Sequence, residues 1–187
     1  MRIVKGALRE YHLNIPKIRD LLVTPYIVRK ELVGFLGAKL TRAVVLDLFS
    51  GSGSLGIDAL SCGAQKVTFV DIHENSILKI KESLVTFNFY GRARLSLGSC
   101  EKFIDSAKPN EYDIIFFTPP YQNLNLFLIP RIRKILKKSG LLIFEFPPSL
   151  KLDNLQRACN NFEIIKMLNF GWSRIAILSP TLLKIED

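Results

Sequence analysis

Cysteine, histidine and long apolar runs are all scarce in this chain of 187 residues, and each shortage removes a class of function. The three cysteines, Cys62, Cys100 and Cys159, are odd in number and stand 38 and 59 residues apart. That is neither a disulfide framework nor a zinc spacing, so the thiols read as buried or inert. His12 and His73 are the only histidines and have no ligand partner close in sequence. They read as surface imidazoles, and no metal is expected. No apolar run approaches the ~20 residues that cross a bilayer. The longest, Ile114 to Phe117 and Leu141 to Phe144, are strand-sized. The opening Met1-Arg2-Ile3-Val4-Lys5-Gly6 breaks off before a signal-peptide core can form, so a cytoplasmic, membrane-free protein is expected. Low-complexity tracts, internal repeats and Pro/Gly linkers are also missing. The length then suits one well-buried α/β domain with a short appendage.

Acid is in short supply as well, and the deficit is local. The chain carries 26 Lys or Arg against 17 Asp or Glu, a net +9. Residues 1–42 hold nine basic against three acidic side chains, or +6, and residues 43–187 seventeen against fourteen, or +3. A concentrated basic segment suits a polyanion such as RNA, because each neutralised phosphate releases counterions. A merely solubilising face has the same signature, and charge alone leaves the two even.

What is present is a regular alternation from residue 43 onward: short apolar runs between longer amphipathic ones, the pattern of a parallel sheet flanked by helices. Strands are predicted at 43–48, 66–71, 93–97, 112–117 and 140–146, and helices at 54–62, 74–88, 100–106, 124–138 and 150–160. Phe162 to Asn169 and Trp172 to Leu178 then read as a closing antiparallel pair joined at Phe170-Gly171. Before the sheet, a basic arm (residues 1 to about 23) leads to a helix with Thr24 as N-cap and Pro25 at its first position. Val28, Leu32, Phe35 and Leu36 would face the domain, with Arg29 and Lys30 on the wet side and an end near Gly37. The +6 count makes an RNA-facing role reasonable for residues 1–42, through Arg2, Lys5, Arg9 and Arg29, and residues 43–187 form the expected α/β domain.

The first strand runs into Asp47-Leu48-Phe49-Ser50-Gly51-Ser52-Gly53-Ser54-Leu55-Gly56. Glycines let backbone turn sharply and approach a ligand. A strand, a glycine loop and a helix place a binding site at the carboxyl edge of the sheet. The next strand ends in Asp71, an acid suited to ribose hydroxyls. The same glycines satisfy a dinucleotide pattern, so a nicotinamide dehydrogenase stands as an alternative. Asp47 separates the two readings. A carboxylate beside a pyrophosphate is repulsive, whereas one beside a sulfonium bearing a free amine is attractive.

The fourth strand leads into Thr118-Pro119-Pro120-Tyr121. Two prolines end the ladder and stiffen a loop on the edge shared with the glycine loop. A rigid loop can present acceptors to an exocyclic amine, and an aromatic ring can stack on a flipped base. An amine delocalised into its ring is a poor nucleophile, so alignment supplies much of the catalysis.

At these residues the chain resembles the RsmD family of bacterial 16S rRNA guanine-N2 methyltransferases, over nearly its whole length. The loop Asp47 to Gly56, continuing through Ala59-Leu60-Ser61 to Gly63-Ala64, is close to that family's donor signature. Met1 to Val4 with Gly6, Arg9, Leu13 and Pro16 resembles its basic arm, and Thr24, Val28, Arg29 and Leu32 its first helix. Gly140-Leu141-Leu142 with Glu145 resembles its fifth strand, and Phe170-Gly171 its late Tyr-Gly step. The resemblance implies a class I S-adenosylmethionine-dependent methyltransferase: a Rossmann-like α/β fold, with a seven-stranded sheet, mostly parallel with an antiparallel last strand, and helices on both faces. It implies a donor site formed by Asp47, Phe49, Gly51, Ser52, Gly53, Asp71, Ile72, Ser99 and Cys100, and a base-receiving loop of Thr118, Pro119, Pro120 and Tyr121. It also implies S-adenosylmethionine as cofactor, 16S rRNA or the small ribosomal subunit as partner, and a monomer without metal. Three positions depart from the family. Thr118 replaces an Asp or Asn, Gly98-Ser99 a Gly-Asp pair, and Leu22-Val23-Thr24 an Arg-Pro-Thr step. Those losses keep open an RNA-binding assembly factor without catalysis, or a methyltransferase acting on another nucleic-acid base.

Overall fold

The computed structural model describes residues 1–9, 11–13 and 23–181; Pro16 and Leu22 of the arm lie outside that set. Its strands are β1 (Val44–Leu48), β2 (Lys66–Asp71), β3 (Ala93–Leu97), β4 (Tyr112–Phe117), β5 (Leu136–Phe146), β6 (Phe162–Asn169) and β7 (Arg174–Pro180). The helices are α1 (Tyr26–Leu36), α2 (Ser54–Ser61), α3 (Glu74–Thr86), α4 (Cys100–Ser106), α5 (Ile129–Ile135) and α6 (Leu152–Ala158). One sheet carries all seven strands in the order β3-β2-β1-β4-β5-β7-β6. The pairs from β3 to β5 are parallel, and β7 runs antiparallel to both β5 and β6.

Alternation along the strands sends side chains to two separate cores. Val45, Val67, Phe69, Ile114, Phe116 and Ile143 pack under α1, α2 and α3. Leu46, Leu48, Ile115, Phe117, Leu142 and Phe144 pack under α4, α5 and α6. Strands buried on both faces read as continuous apolar runs, which is why β1 and β4 are so legible in the sequence. The order reverses between β1 and β4, where crevices at carboxyl ends take ligands. Leu48 is in register with Phe117, so the segments that follow β1 and β4 leave the sheet side by side.

Three local expectations need correction. Thr24 does not cap α1: Pro25 holds that position, and the threonine hydroxyl bonds to Glu145 instead. The helix expected to reach residue 138 ends at Ile135, and β5 begins at Leu136. Leu136 pairs with Tyr112, and Lys137 reaches Asp113 at 2.8 Å, so sheet pairing overrides a helical pattern. Arg29, expected in water, is fully buried and ion-paired with Asp58 on α2. It donates further to the carbonyls of Thr24 and Arg2, while Asp58 accepts from the Val4 N–H at 2.9 Å. Its charge stitches the first residues of the chain, α1 and α2 together and is not available to RNA. Lys30 does face solvent.

Candidate active site

The segment after β1 is bent by three residues of positive φ: Phe49 at 58°, Gly51 at 52° and Gly53 at 71°. An aromatic residue in that region is strained, and such strain is held by its surroundings. The Phe49 ring lies 5.8 Å from that of Phe117, and Ser50 locks the next position. Its hydroxyl donates to the Asp47 carbonyl at 2.6 Å and accepts from the Val70 N–H at 2.8 Å. A β-carbon on Gly53 would stand 2.6 Å from Ile80, and one on Gly56 only 2.2 Å from the Phe69 ring. The third glycine thus serves close helix–strand packing, whereas the first two shape the loop.

Two acids converge on this loop. Asp71, buried at the end of β2, accepts the Gly51 N–H at 2.7 Å on one oxygen and the His73 N–H at 2.8 Å on the other. The exposed His73 ring also approaches that second oxygen, Nδ1 at 3.0 Å. Asp47 is 1% exposed and accepts the Gly56 N–H at 3.0 Å. Burial pushes its carboxyl well above the ordinary range; the Gly56 N–H opposes this and the Asp71 charge adds to it. Two mutually repelling acids on one cradle disfavour an anionic ligand and suit a cationic one. Cys100 lies beside Phe49 within range of both acids, and burial raises its thiol to about 12, so it stays neutral. The Ser99 hydroxyl accepts the Lys102 N–H and caps α4. Ile72 is 66% exposed at the rim.

Across the crevice, Thr118 follows β4. Its hydroxyl stands 3.5 Å from the Leu48 carbonyl, long enough to be weak and free to turn. Pro119 is buried, Pro120 exposed, and Tyr121 half-buried with its hydroxyl 3.3 Å from Glu145 Oε1. The structure therefore brings Asp47, Phe49, Gly51, Ser52, Gly53, Asp71, Ser99, Cys100 and Thr118 to Tyr121 to one edge of the sheet. Arg2, Lys5 and Arg9 lie elsewhere, exposed beside α1. Sequence reasoning missed the connections of Glu145, which also accepts from Thr24 and Ser173, and the Arg29–Asp58 pair. No local signal could have found them, since these partners lie 28 to 121 residues apart. Among the described residues no group of three or more His, Cys, Asp or Glu could hold a metal, and no helix is long and apolar enough to cross a membrane.

A sheet of this order, with a glycine loop and two strand-end acids at its switch point, defines the class I S-adenosylmethionine-dependent methyltransferase fold. The family model described as conserved hypothetical protein 95 matches residues 1–179. The chain belongs to that family, the RsmD family, and is a methyltransferase. It is 28% identical over 149 residues to ribosomal RNA small subunit methyltransferase D of Buchnera aphidicola, covering 76% of either chain. The Escherichia coli protein of the same name is 30% identical over 122 residues, 65% of this chain and 61% of that one. Among solved structures, yhhF from Escherichia coli superposes with a TM-score of 0.82 at 24% identity, over 96% of this chain and 97% of the other. The SMU.776 protein, solved in complex with S-adenosylhomocysteine, shares the fold at a TM-score of 0.69 and 17% identity, over 85% of this chain and half of its own.

Proposed function

We propose that the protein transfers the methyl group of S-adenosylmethionine to the exocyclic N2 of a guanine in small-subunit, 16S ribosomal RNA. The carrying observation is the register of Leu48 with Phe117, which sets the Phe49 to Gly53 loop beside Thr118 to Tyr121. Relatives named as small-subunit ribosomal RNA methyltransferases supply the substrate class.

The cradle fits the donor. Asp71 offers a buried carboxylate for ribose hydroxyls, Gly51 and Gly53 supply the positive-φ bends that turn the loop back towards the two acids, and Asp47 and Asp71 favour a positive charge. The donor supplies an electrophilic methyl carbon on a sulfonium. The chain's own part is alignment. The Thr118 hydroxyl accepts one N–H of the amine, the Pro119 carbonyl the other, and the Tyr121 ring stacks on the base. A nitrogen–carbon bond forms as the carbon–sulfur bond breaks, and the amine's surplus proton leaves to solvent.

Residues 1–42 are the proposed RNA contact, with Lys30 in place of Arg29. Lys5, Arg9, Tyr26 and Lys30 line a groove of about 260 Å³ between the arm and α1, combining cations for phosphates with an exposed ring. The test is labelled-donor transfer to small-subunit particles and free 16S rRNA prepared without this protein, followed by mass mapping of the RNA. One N2-methylguanine is expected. Methylation at another base, or binding without transfer, would overturn the guanine-N2 assignment.

A further inference from the structure

Glu145 stands one residue from the end of β5, 2% exposed, and collects hydroxyls from three distant parts of the chain. Thr24 Oγ1, just before α1, donates to Oε2 at 2.8 Å. Ser173 Oγ, in the β6–β7 turn, donates to Oε1 at 2.9 Å, and the Tyr121 hydroxyl reaches the same oxygen at 3.3 Å. Ser173 is fully buried and Thr24 nearly so. Burying a carboxylate is costly unless its lone pairs are filled, and an apolar residue would pack there at less cost. The placement thus calls for a reason beyond packing.

The reason lies in the neighbouring loop. Phe117 and Phe144 are in register, so Glu145, the next residue of β5, lies level with Thr118, the first residue after β4. Pro119 and Pro120 have no backbone N–H with which to anchor that loop. The Tyr121 hydroxyl takes over as anchor. Burial, together with the charge of Glu145, raises that hydroxyl above its ordinary range, against the pull of Ser173, so it remains the donor.

We propose that Glu145 is a positioning residue for methyl transfer: its Oε1, braced by Ser173, fixes the Tyr121 ring in the one pose that receives the target base. The inference rests on the reading of Thr118 to Tyr121 as the base-receiving loop. Glutamine at this position keeps the shape and can still meet all three hydroxyls, its amide N–H donating where a carboxylate oxygen accepted, but every bond to Tyr121 and Ser173 loses its charge assistance.

The experiment combines single-turnover transfer from labelled S-adenosylmethionine to small-subunit particles with donor calorimetry on each variant. Glu145→Gln should slow transfer by about tenfold, the order of one charge-assisted bond, while donor affinity stays within about twofold. Tyr121→Phe should slow it at least as much, and the double variant no further than Tyr121→Phe, because both act through one contact. Thr24→Val leaves the Oε1 contacts in place and should transfer at close to the wild-type rate. A wild-type rate in Glu145→Gln, multiplying effects in the double variant, or equal loss in Thr24→Val would each overturn the proposal. If Glu145→Gln does not fold, Tyr121→Phe decides by itself, and a full wild-type rate there overturns it. Ultraviolet titration of Tyr121, isolated by difference against Tyr121→Phe, gives a readout that needs no RNA. It should ionise at lower pH in Glu145→Gln, and an unchanged titration overturns the contact. Wild-type inactivity on every RNA would instead sink the substrate reading, leaving that titration to decide whether Glu145 holds Tyr121.

Discussion

Asp71 already has occupied oxygens, one on the Gly51 N–H and the other on His73. Oδ2, on Gly51, keeps a further lone pair, and Oδ1 gains one when the exposed His73 ring turns away, so ribose hydroxyls can add without breaking the backbone bonds. Asp71→Ala should therefore weaken S-adenosylmethionine by ~1.5–3 kcal/mol, the range for bonds to a charged acceptor. Calorimetry with the wild type alongside checks this, and equal affinities would remove Asp71 from the donor site. Thr118 is the other decisive residue. Its hydroxyl can aim the amine but carries no charge to stabilise the cation developing on nitrogen. Restoring a carboxylate in Thr118→Asp should speed single-turnover transfer on the order of tenfold, and Thr118→Val should stop it with donor binding unchanged. If wild type and Thr118→Asp are both inert on small-subunit particles, an assembly factor without catalysis is the better account. The donor loop and the loop after β4 are readable in the sequence because their chemistry is local: glycines, strand ends and prolines within a few residues of one another. Glu145 is not, because its meaning lies in hydroxyls brought from Thr24 and Ser173 by the sheet.

At the scale of elements, α1 shows where periodicity succeeds and where it fails. Val28, Leu32 and Leu36 are buried as the helical spacing predicts, yet Arg29 and Val33 are buried with them. The charge of an arginine argues for water, and the acid that neutralises this one, Asp58, lies on another helix. Burial pushes the Asp58 carboxyl up to about 6, opposed chiefly by the Arg29 charge and then by the Val4 N–H. Removing Arg29 removes the larger opposing pull, so the folded-state pKa climbs above about 6. In that range the folded variant holds a proton which the unfolded chain, near 3.8, has released, and its stability falls as pH rises. The wild type has already lost this contribution once pH passes about 6, and is flat beyond it. Arg29→Leu should thus be destabilised, by ~3–5 kcal/mol once the carboxylate is forced to ionise, with a deficit that widens from about pH 6 to about 8. Urea unfolding of both proteins at the two pH values is the measurement. A deficit that is constant or shrinks with pH would mean that the pair does not govern how α1 docks on α2.

For the whole molecule, the uneven charge is the property that survives folding with its meaning altered. The strands can be inferred from alternating apolar runs, but their order and the surface they build emerge only on folding. Of the basic side chains in residues 1–42, Arg29 turns inward, while Lys5, Arg9 and Lys30 gather around one groove with Tyr26. The start of α1, which lines that groove, is tied to the loop after β4 through side-chain hydrogen bonds. Tyr26 is two residues from Thr24, whose hydroxyl meets the carboxylate that also holds Tyr121. Replacing Lys5, Arg9 and Lys30 together with Ala should weaken RNA binding and lower the log–log salt slope by about 0.7 for each single-strand phosphate no longer neutralised, or about 2 for all three. Affinity for S-adenosylmethionine should not change, because the cradle of Asp47 and Asp71 shares no residue with the groove. Replacing Lys108, exposed after α4, provides the control for a general loss of charge. Binding measured from low to moderate salt separates the outcomes. An unaltered slope in the triple variant, or an equal fall on changing Lys108 alone, would show that RNA does not run through this groove.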